Sequence, residues 1–174
     1  MRANCAGFDC NADFLDYTVT DFDQIFTTNV RGLFLCMQHE VKAMRATGGG
    51  AIVNVGSIAG QRVIRGNALY NASKSAVTML TKTAALECGR FGVRINEVAP
   101  GPVMTPMLSE FIEKSQKTPT PFSEEGLIAA SPLGRIGAPE EINLATEVAG
   151  RSAGLIVPVG TPVQIVFKFV LCPE

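Results

Sequence analysis

Histidine occurs once in this chain, at position 39, so neither a His-based catalytic triad nor a His-rich zinc site is easily built. His39 itself reads as a surface residue on a helix. The five cysteines (Cys5, Cys10, Cys36, Cys88, Cys172) are odd in number and scattered, with no C-x-x-C pair, and read as reduced thiols rather than disulfides or metal ligands. An excess of charge of one sign is lacking too: 15 basic against 16 acidic side chains give a net charge of -1 and a pI near 5.9. That balance leaves no basic face for nucleic acid and no polybasic membrane anchor, while small neutral or anionic ligands stay open. No stretch reaches the roughly 20 apolar residues of a membrane helix, and the start, MRANCAGFDCNADF, lacks the apolar run of a signal peptide. A cytosolic (cytoplasmic) protein is the simplest expectation. There is no internal repeat and no low-complexity tract.

What is present suits one globular domain: 174 residues, 47% hydrophobic and 18% charged. Thr20, Asp21 and Asp23 form a capping-box-like start, and Phe22, Ile25, Phe26, Val30, Leu33, Phe34, Met37, Val41 and Met44 follow at helical spacing. This predicts a long helix over 21–45 with a wide buried stripe. Gly48-Gly49-Gly50 breaks it, and AIVNVGS reads as a buried strand ending near Ser57. A second helix over 69–90 is expected from Ala72, Ala76, Val77, Met79, Leu80, Ala84 and Ala85, stopped by Gly89 and Gly92. VRINEVAP is a second strand, cut off at Pro100-Gly101-Pro102. Strand, long helix, strand is the βαβ pattern of a parallel sheet, so the fold class is α/β. Beyond it, Met107 to Lys117 predicts a short helix, TPTP a break, Ser123-Glu124-Glu125 another helix start, and Pro139 the first residue of a helix ending at Gly150. The tail, interrupted by Pro158 and Pro162, can only be an edge or irregular element.

One stretch carries chemistry. SIAGQRVIRGNALYNASK, from Ser57 to Lys74, holds a hydroxyl, a phenol and an ammonium, and Tyr70 and Lys74 stand four apart on one helix face. A free tyrosine titrates near pH 10, and an ammonium within ~4 to 6 Å can lower that by ~1 to 3 units, so Lys74 is expected to tune Tyr70 downward. Ser57 stands at the C-terminal end of its strand, where open α/β sheets place ligands. Asn29 falls mid-helix, where asparagine is a mediocre helix former, which favours a positional reason for it. The ordinary alternatives are a surface tyrosine beside a solvated lysine, a loop serine capping a turn, a solvent-facing asparagine, and a plain strand-to-helix turn at 100–105.

Together, Asn29 in TTNVRG, Ser57 in IVNVGSIAG, Tyr70 and Lys74 in YNASK, and the turn VAPGPVMTPM resemble the short-chain dehydrogenase/reductase family, in its order and with its separations, across about residues 4 to 142. The resemblance implies a partial Rossmann-like, doubly wound parallel sheet forming one partial domain over 1–174. Its core βαβ part with the catalytic residues would span 1–103, a lid-like segment 104–136, a helix 137–150 and an atypical tail 151–174. It also implies hydride transfer between NADP or NAD, with NADP the slight favourite, and a ketone or secondary alcohol. Tyr70 would be the general acid/base, Ser57 would hydrogen-bond the carbonyl, Lys74 would also hold the nicotinamide ribose, and Asn29 would position a water linking the lysine to solvent. Asn4, Ala6, Gly7, Tyr70, Lys74, Pro100, Gly101, Val103 and Thr105 are the implied cofactor contacts. Ser57 and Tyr70, with Met107, Leu108, Phe111 and Ile112 of the lid, would line the substrate pocket; no metal is implied. The phrase SPLGRIGAPEEI leans the substrate toward 3-oxoacyl groups, as in reductases of the β-ketoacyl-carrier-protein type. Helices 21–45 and 69–90 resemble those that pair family members into dimers or tetramers.

The sequence also departs from the family. The T-G-x-x-x-G-x-G loop that cradles cofactor phosphates is missing: Gly56-Ser57-Ile58-Ala59-Gly60 is followed by Gln61 and Arg62 and sits after the wrong strand. The chain reads as starting near the end of the family's fourth strand, where Asn4-Cys5-Ala6-Gly7 stands for N-N-A-G. The closing V-D-G-G strand is missing from the tail. Besides an oxidoreductase, the alternatives are therefore a catalytically inactive relative acting as a dimerising interaction module, or an incomplete gene product.

Overall fold

The computed structural model describes residues 1–116, 121–131, 133–151 and 156–159. Four strands, β1 (Arg2–Asn4), β2 (Gly50–Val55), β3 (Val93–Pro100) and β4 (Ile156–Val159), form one parallel sheet in the order β1-β2-β3-β4. Parallel neighbours require crossovers, and helices fill each of them. α1 (Val19–Phe26) and α2 (Leu33–Ala46) join β1 to β2, and α3 (Ala68–Cys88) joins β2 to β3. α4 (Pro106–Ser115), α5 (Glu124–Ala130) and α6 (Pro139–Arg151) lie between β3 and β4.

The sheet is covered on both faces because its strand residues alternate. Ile52, Val93 and Ile95 turn toward α2 and α3, where they pack with Leu33, Met37 and Val77. Val53 and Val98 point the other way, onto Ala149 with Ile142 and Ala145 of α6. Two strands buried on both faces account for the continuous apolar runs seen in the sequence. The register sets Ile52 opposite Ile95 and Asn54 opposite Glu97. Between α2 and β2 the chain turns at Gly49, whose φ of +122° suits glycine and whose amide donates to the Met44 carbonyl at 2.8 Å. The expected doubly wound parallel α/β arrangement is what the chain forms. The tail supplies β4, which lies at the sheet edge with Pro158 opposite Ala99, as an edge strand can accommodate.

Three expectations need correction. The first helix is capped by Thr18, not Thr20: the Thr18 hydroxyl accepts from the Asp21 amide at 3.2 Å, and the Asp21 carboxylate accepts from the Thr18 amide at 2.9 Å. That helix is not continuous either, since a π turn over Thr27–Gly32 separates α1 from α2. The buried line is Ile25, Asn29, Leu33 and Met37, four residues apart, while Phe22 and Phe34 remain 45% and 42% exposed. A π turn takes more residues than an α turn, so a stripe projected at 3.6 residues per turn slips across it. On α3 the buried side chains are Ser73, Lys74, Val77, Thr78 and Thr81, whereas Ala72 is exposed and Met79 is 59% exposed. Among the described residues no helix is long and apolar enough to cross a membrane.

Candidate active site

β2 delivers the chain at Val55 to a short 3-10 turn over Ile58–Gly60, capped by Ser57, whose hydroxyl accepts from the Ala59 amide at 3.1 Å. The same side chain acts on Tyr70 in the first turn of α3, favouring the ionised phenol. One turn further on, Lys74 is 4% exposed, donates to the Val55 carbonyl at 3.1 Å and holds its ammonium 5.6 Å from the Tyr70 ring centroid. The sequence separation of four therefore does set phenol and ammonium side by side, at the C-terminal end of β2.

The electrostatics differ from the expectation. Burial pushes the Tyr70 phenol up to about 12, the Asp9 carboxylate adds to the rise, and only the Ser57 hydrogen bond opposes it. The ammonium lies over the ring and is itself buried. Burial lowers the Lys74 pKa, against the opposing pull of Glu97, Asp9 and Cys5.

Two carboxyl groups flank this lysine. Glu97, on β3, is fully buried; burial raises it to about 7, against a hydrogen bond from Thr78 at 2.9 Å and the charges of Lys74 and Lys82. Its Oε2 is buried without a partner. Glu97 also packs against Gly56, where a Cβ would collide with its Oε1, so this carboxyl needs glycine at that point. Asp9, on the loop after β1, is raised to about 6 by burial, opposed by the Cys10 amide and by Lys114 and Lys74. Neither acid was anticipated. A carboxylate inside the otherwise apolar run VRINEVAP was the available signal for Glu97; Asp9 left none.

Asn29 sits in the π turn and is 2% exposed. Its side-chain oxygen accepts from the Phe8 amide at 2.7 Å, and its amide donates to the Phe8 carbonyl at 2.8 Å and to Ser73 Oγ at 3.0 Å. Ser73 in turn donates to the Tyr70 carbonyl at 2.8 Å. The side chain thus ties the Asp9 loop to the start of α3 and stands behind the site.

A cavity of about 640 Å³ opens over this group. Gly7, Asp9, Ser57, Tyr70 and Lys74 line it. Pro100 at the end of β3 and Gly101, Val103 and Thr105 after it also line the cavity, as do Met107, Leu108 and Phe111 of α4 with Phe122 and Leu127. Phe111 and Phe122 pack at 4.9 Å between ring centroids. Thr105 caps α4, its hydroxyl accepting from the Leu108 amide at 3.3 Å. Asn4 and Ala6, expected at the cofactor, do not line this cavity. The Asn4 amide is held by Glu40 and by Asn54, each at 3.0 Å, so it fastens β1 to α2 and β2. Ile112 is likewise not a lining residue, because it falls on another face of α4 from Phe111.

The chemistry of these groups fits the nicotinamide half of a dinucleotide. A phenol and an ammonium with protons beyond the one given to Val55 can meet ribose hydroxyls, and the backbone at Pro100-Gly101 borders the same space. The phosphates find no glycine-rich helix start among the described residues.

A two-faced parallel sheet with serine, tyrosine and lysine converging beyond its strand ends defines a Rossmann-type α/β protein. Comparison with known proteins agrees. The family described as Enoyl-(Acyl carrier protein) reductase matches residues 1–148. A short-chain dehydrogenase/reductase of Armillaria gallica is 40% identical over 153 residues, covering 87% of this chain and 58% of that protein. The (3R)-3-hydroxyacyl-CoA dehydrogenase of Rattus norvegicus is 36% identical over 162 residues, covering 90% of this chain and 60% of the enzyme. Among solved structures, levodione reductase superposes with a TM-score of 0.80 at 30% identity, covering 91% of this chain and 64% of that one. NAD+-bound xylitol dehydrogenase superposes with a TM-score of 0.84 at 26% identity, covering 92% of this chain and 67% of that one. The chain belongs to the short-chain dehydrogenase/reductase family. It spans 46% to 60% of the length of curated relatives that it matches.

Proposed function

We propose that this chain is an oxidoreductase that moves a hydride between a nicotinamide dinucleotide and a ketone or secondary alcohol. The observation that carries this reading is that Ser57, Tyr70 and Lys74 line one cavity, with the Lys74 ammonium 5.6 Å from the Tyr70 ring centroid. A phenol raised to about 12 is fully protonated at neutral pH, which equips Tyr70 to give a proton to a carbonyl oxygen as it is reduced. Ser57 offers the same oxygen a second hydrogen bond, and Lys74 holds the ribose side of the cofactor. Such acid/base help is worth roughly 10² to 10⁴ in rate. NADP or NAD supplies the hydride chemistry when bound. One structural neighbour holds NAD+ and another, a gluconate 5-dehydrogenase from Burkholderia cenocepacia, holds NADP with tartrate, so both cofactors stay open to this site. A 3-oxoacyl group, suggested by SPLGRIGAPEEI, is one ketone that the cavity would take. The protein acts in the cytoplasm on this reading.

The second reading, a dimerising module, rests on exposed apolar side chains of the two long helices. Phe34 and Leu35 of α2 are 42% and 41% exposed, and Met79 and Leu86 of α3 are 59% and 60% exposed. A second copy of the chain would cover them as a homodimer or homotetramer, with or without activity.

The two readings part in one experiment. Oxidation of NADPH or NADH by cyclohexanone is followed with the purified chain and with Tyr70→Phe. Turnover that disappears in Tyr70→Phe, at unchanged circular dichroism, supports the oxidoreductase. Turnover retained in that variant removes Tyr70 from its role. No turnover in the unaltered chain, with sedimentation showing a dimer, leaves the module. Cofactor binding is expected to be weaker than micromolar, because no phosphate cradle is present among the described residues.

A further inference from the structure

Asp9 is the acidic side chain among the described residues that line the cavity together with Ser57, Tyr70 and Lys74. Its Oδ1 is buried and has no hydrogen-bond partner, while the Cys10 amide donates to its carboxylate. A buried acceptor without a donor costs free energy, and native structures seldom leave one unless a ligand or water completes it. Its place is rigid. The residue before it, Phe8, has both backbone groups held by Asn29, at 2.7 and 2.8 Å.

We infer that Asp9 determines specificity by accepting a hydrogen bond from a hydroxyl carried next to the reacting carbon, so that the site takes α-hydroxy ketones and the corresponding vicinal diols. The inference rests on the oxidoreductase reading and narrows its substrate. Asp9 and Tyr70 line the same cavity, so a ligand held at the phenol lies in the space that Asp9 borders. The class follows from the surrounding groups. Lys74 lines the same cavity, so a cationic ligand group would be repelled by it. An anionic group would be repelled by Asp9 itself. A neutral O–H donor meets neither objection, and Phe111, Phe122 and Leu127 receive the apolar remainder.

The test uses the full chain and two probes that differ by one hydroxyl, trans-1,2-cyclohexanediol and cyclohexanol, with dissociation constants measured by NMR titration at pH 8. At that pH Asp9, raised only to about 6, is a carboxylate. The diol is expected to bind about tenfold tighter, as suits one hydrogen bond to a charged acceptor. In Asp9→Ala the ratio should fall to about one, and in the isosteric Asp9→Asn it should fall several-fold, which keeps a readout should the alanine variant fold poorly. A ratio near one in the unaltered chain, or one that survives both substitutions, overturns the inference. If cyclohexanol binds and weakens in Tyr70→Phe while the ratio stays near one, only the role of Asp9 falls. If neither alcohol binds, the oxidoreductase reading falls with it.

Discussion

Replacing Glu97 by glutamine should make the protein more stable at alkaline pH and leave it nearly unchanged in acid. Glu97 is fully buried, with one oxygen accepting from Thr78 and the other unpartnered, so its charged form is poorly solvated. Its folded pKa of about 7 lies above the ordinary 4.5, so the native state binds the proton more tightly than the unfolded chain does. Stability from this group is therefore complete below the unfolded value and is lost as pH rises through 4.5 to 7. A gap of that size corresponds to about 3 kcal/mol, as an order of magnitude. For a chain of this length that is about 6–12 °C in Tm. Glutamine keeps the shape and the acceptor for Thr78 but cannot ionise, so the difference between variant and parent isolates Glu97 from Asp9, which titrates in the same direction. Lys74 loses a counter-charge in the variant, which trims the gain. The assay is urea denaturation of both proteins at pH 5 and pH 8.5, followed by circular dichroism. A stability difference that does not change between the two pH values would refute the argument that Glu97 is buried and ionises at a cost.

Asn29→Ala should cost about 2 to 4 kcal/mol, because it strips partners from the Phe8 N–H and carbonyl at once; continued hydrogen-exchange protection of the Phe8 amide would contradict the clamp. Gly56→Ala should cost about 1 to 3 kcal/mol, since the new methyl meets the Glu97 carboxyl and one of them must move; an unchanged Tm would mean that the strand ends are looser than described. Thr18→Ala should lose about 1 kcal/mol of stability while Thr20→Ala stays within about 0.5 kcal/mol; the reverse order in thermal melts would return the cap to Thr20.

What could be read from the residues, and what could not, divides along physical lines. β2, α3 and β3 were legible because AIVNV and VRINEVAP are apolar runs bounded by glycine and proline, and a 21-residue helix leaves a long periodic trace. β1 was legible only through the resemblance at Asn4-Cys5-Ala6-Gly7, which puts a strand end there: Arg2-Ala3-Asn4 is three residues with no apolar pattern, and it is a strand because β2 offers a partner. The packing of α1 and α2 was misread at Phe22 and Phe34 because periodicity identifies a helix without saying whether anything lies over each face. The convergence of Ser57, Tyr70 and Lys74 was readable from spacing plus strand-end position. Their protonation was not, since the Tyr70 phenol answers to burial and to Asp9, 61 positions away in the chain.

The π turn at Thr27–Gly32 is where this helix stores one residue more than a regular α-helix would hold. At about 100° per residue, a regular helix would carry Ile25 and Met37 about 120° apart, and only the wider turn keeps both on the buried side. Removing one position there would let the two helices join as one regular helix with those ends still on the same face. What such a loss puts at stake is therefore local: the amide of Asn29, set inside the wide turn, is what holds the backbone of Phe8 and with it the loop that carries Asp9.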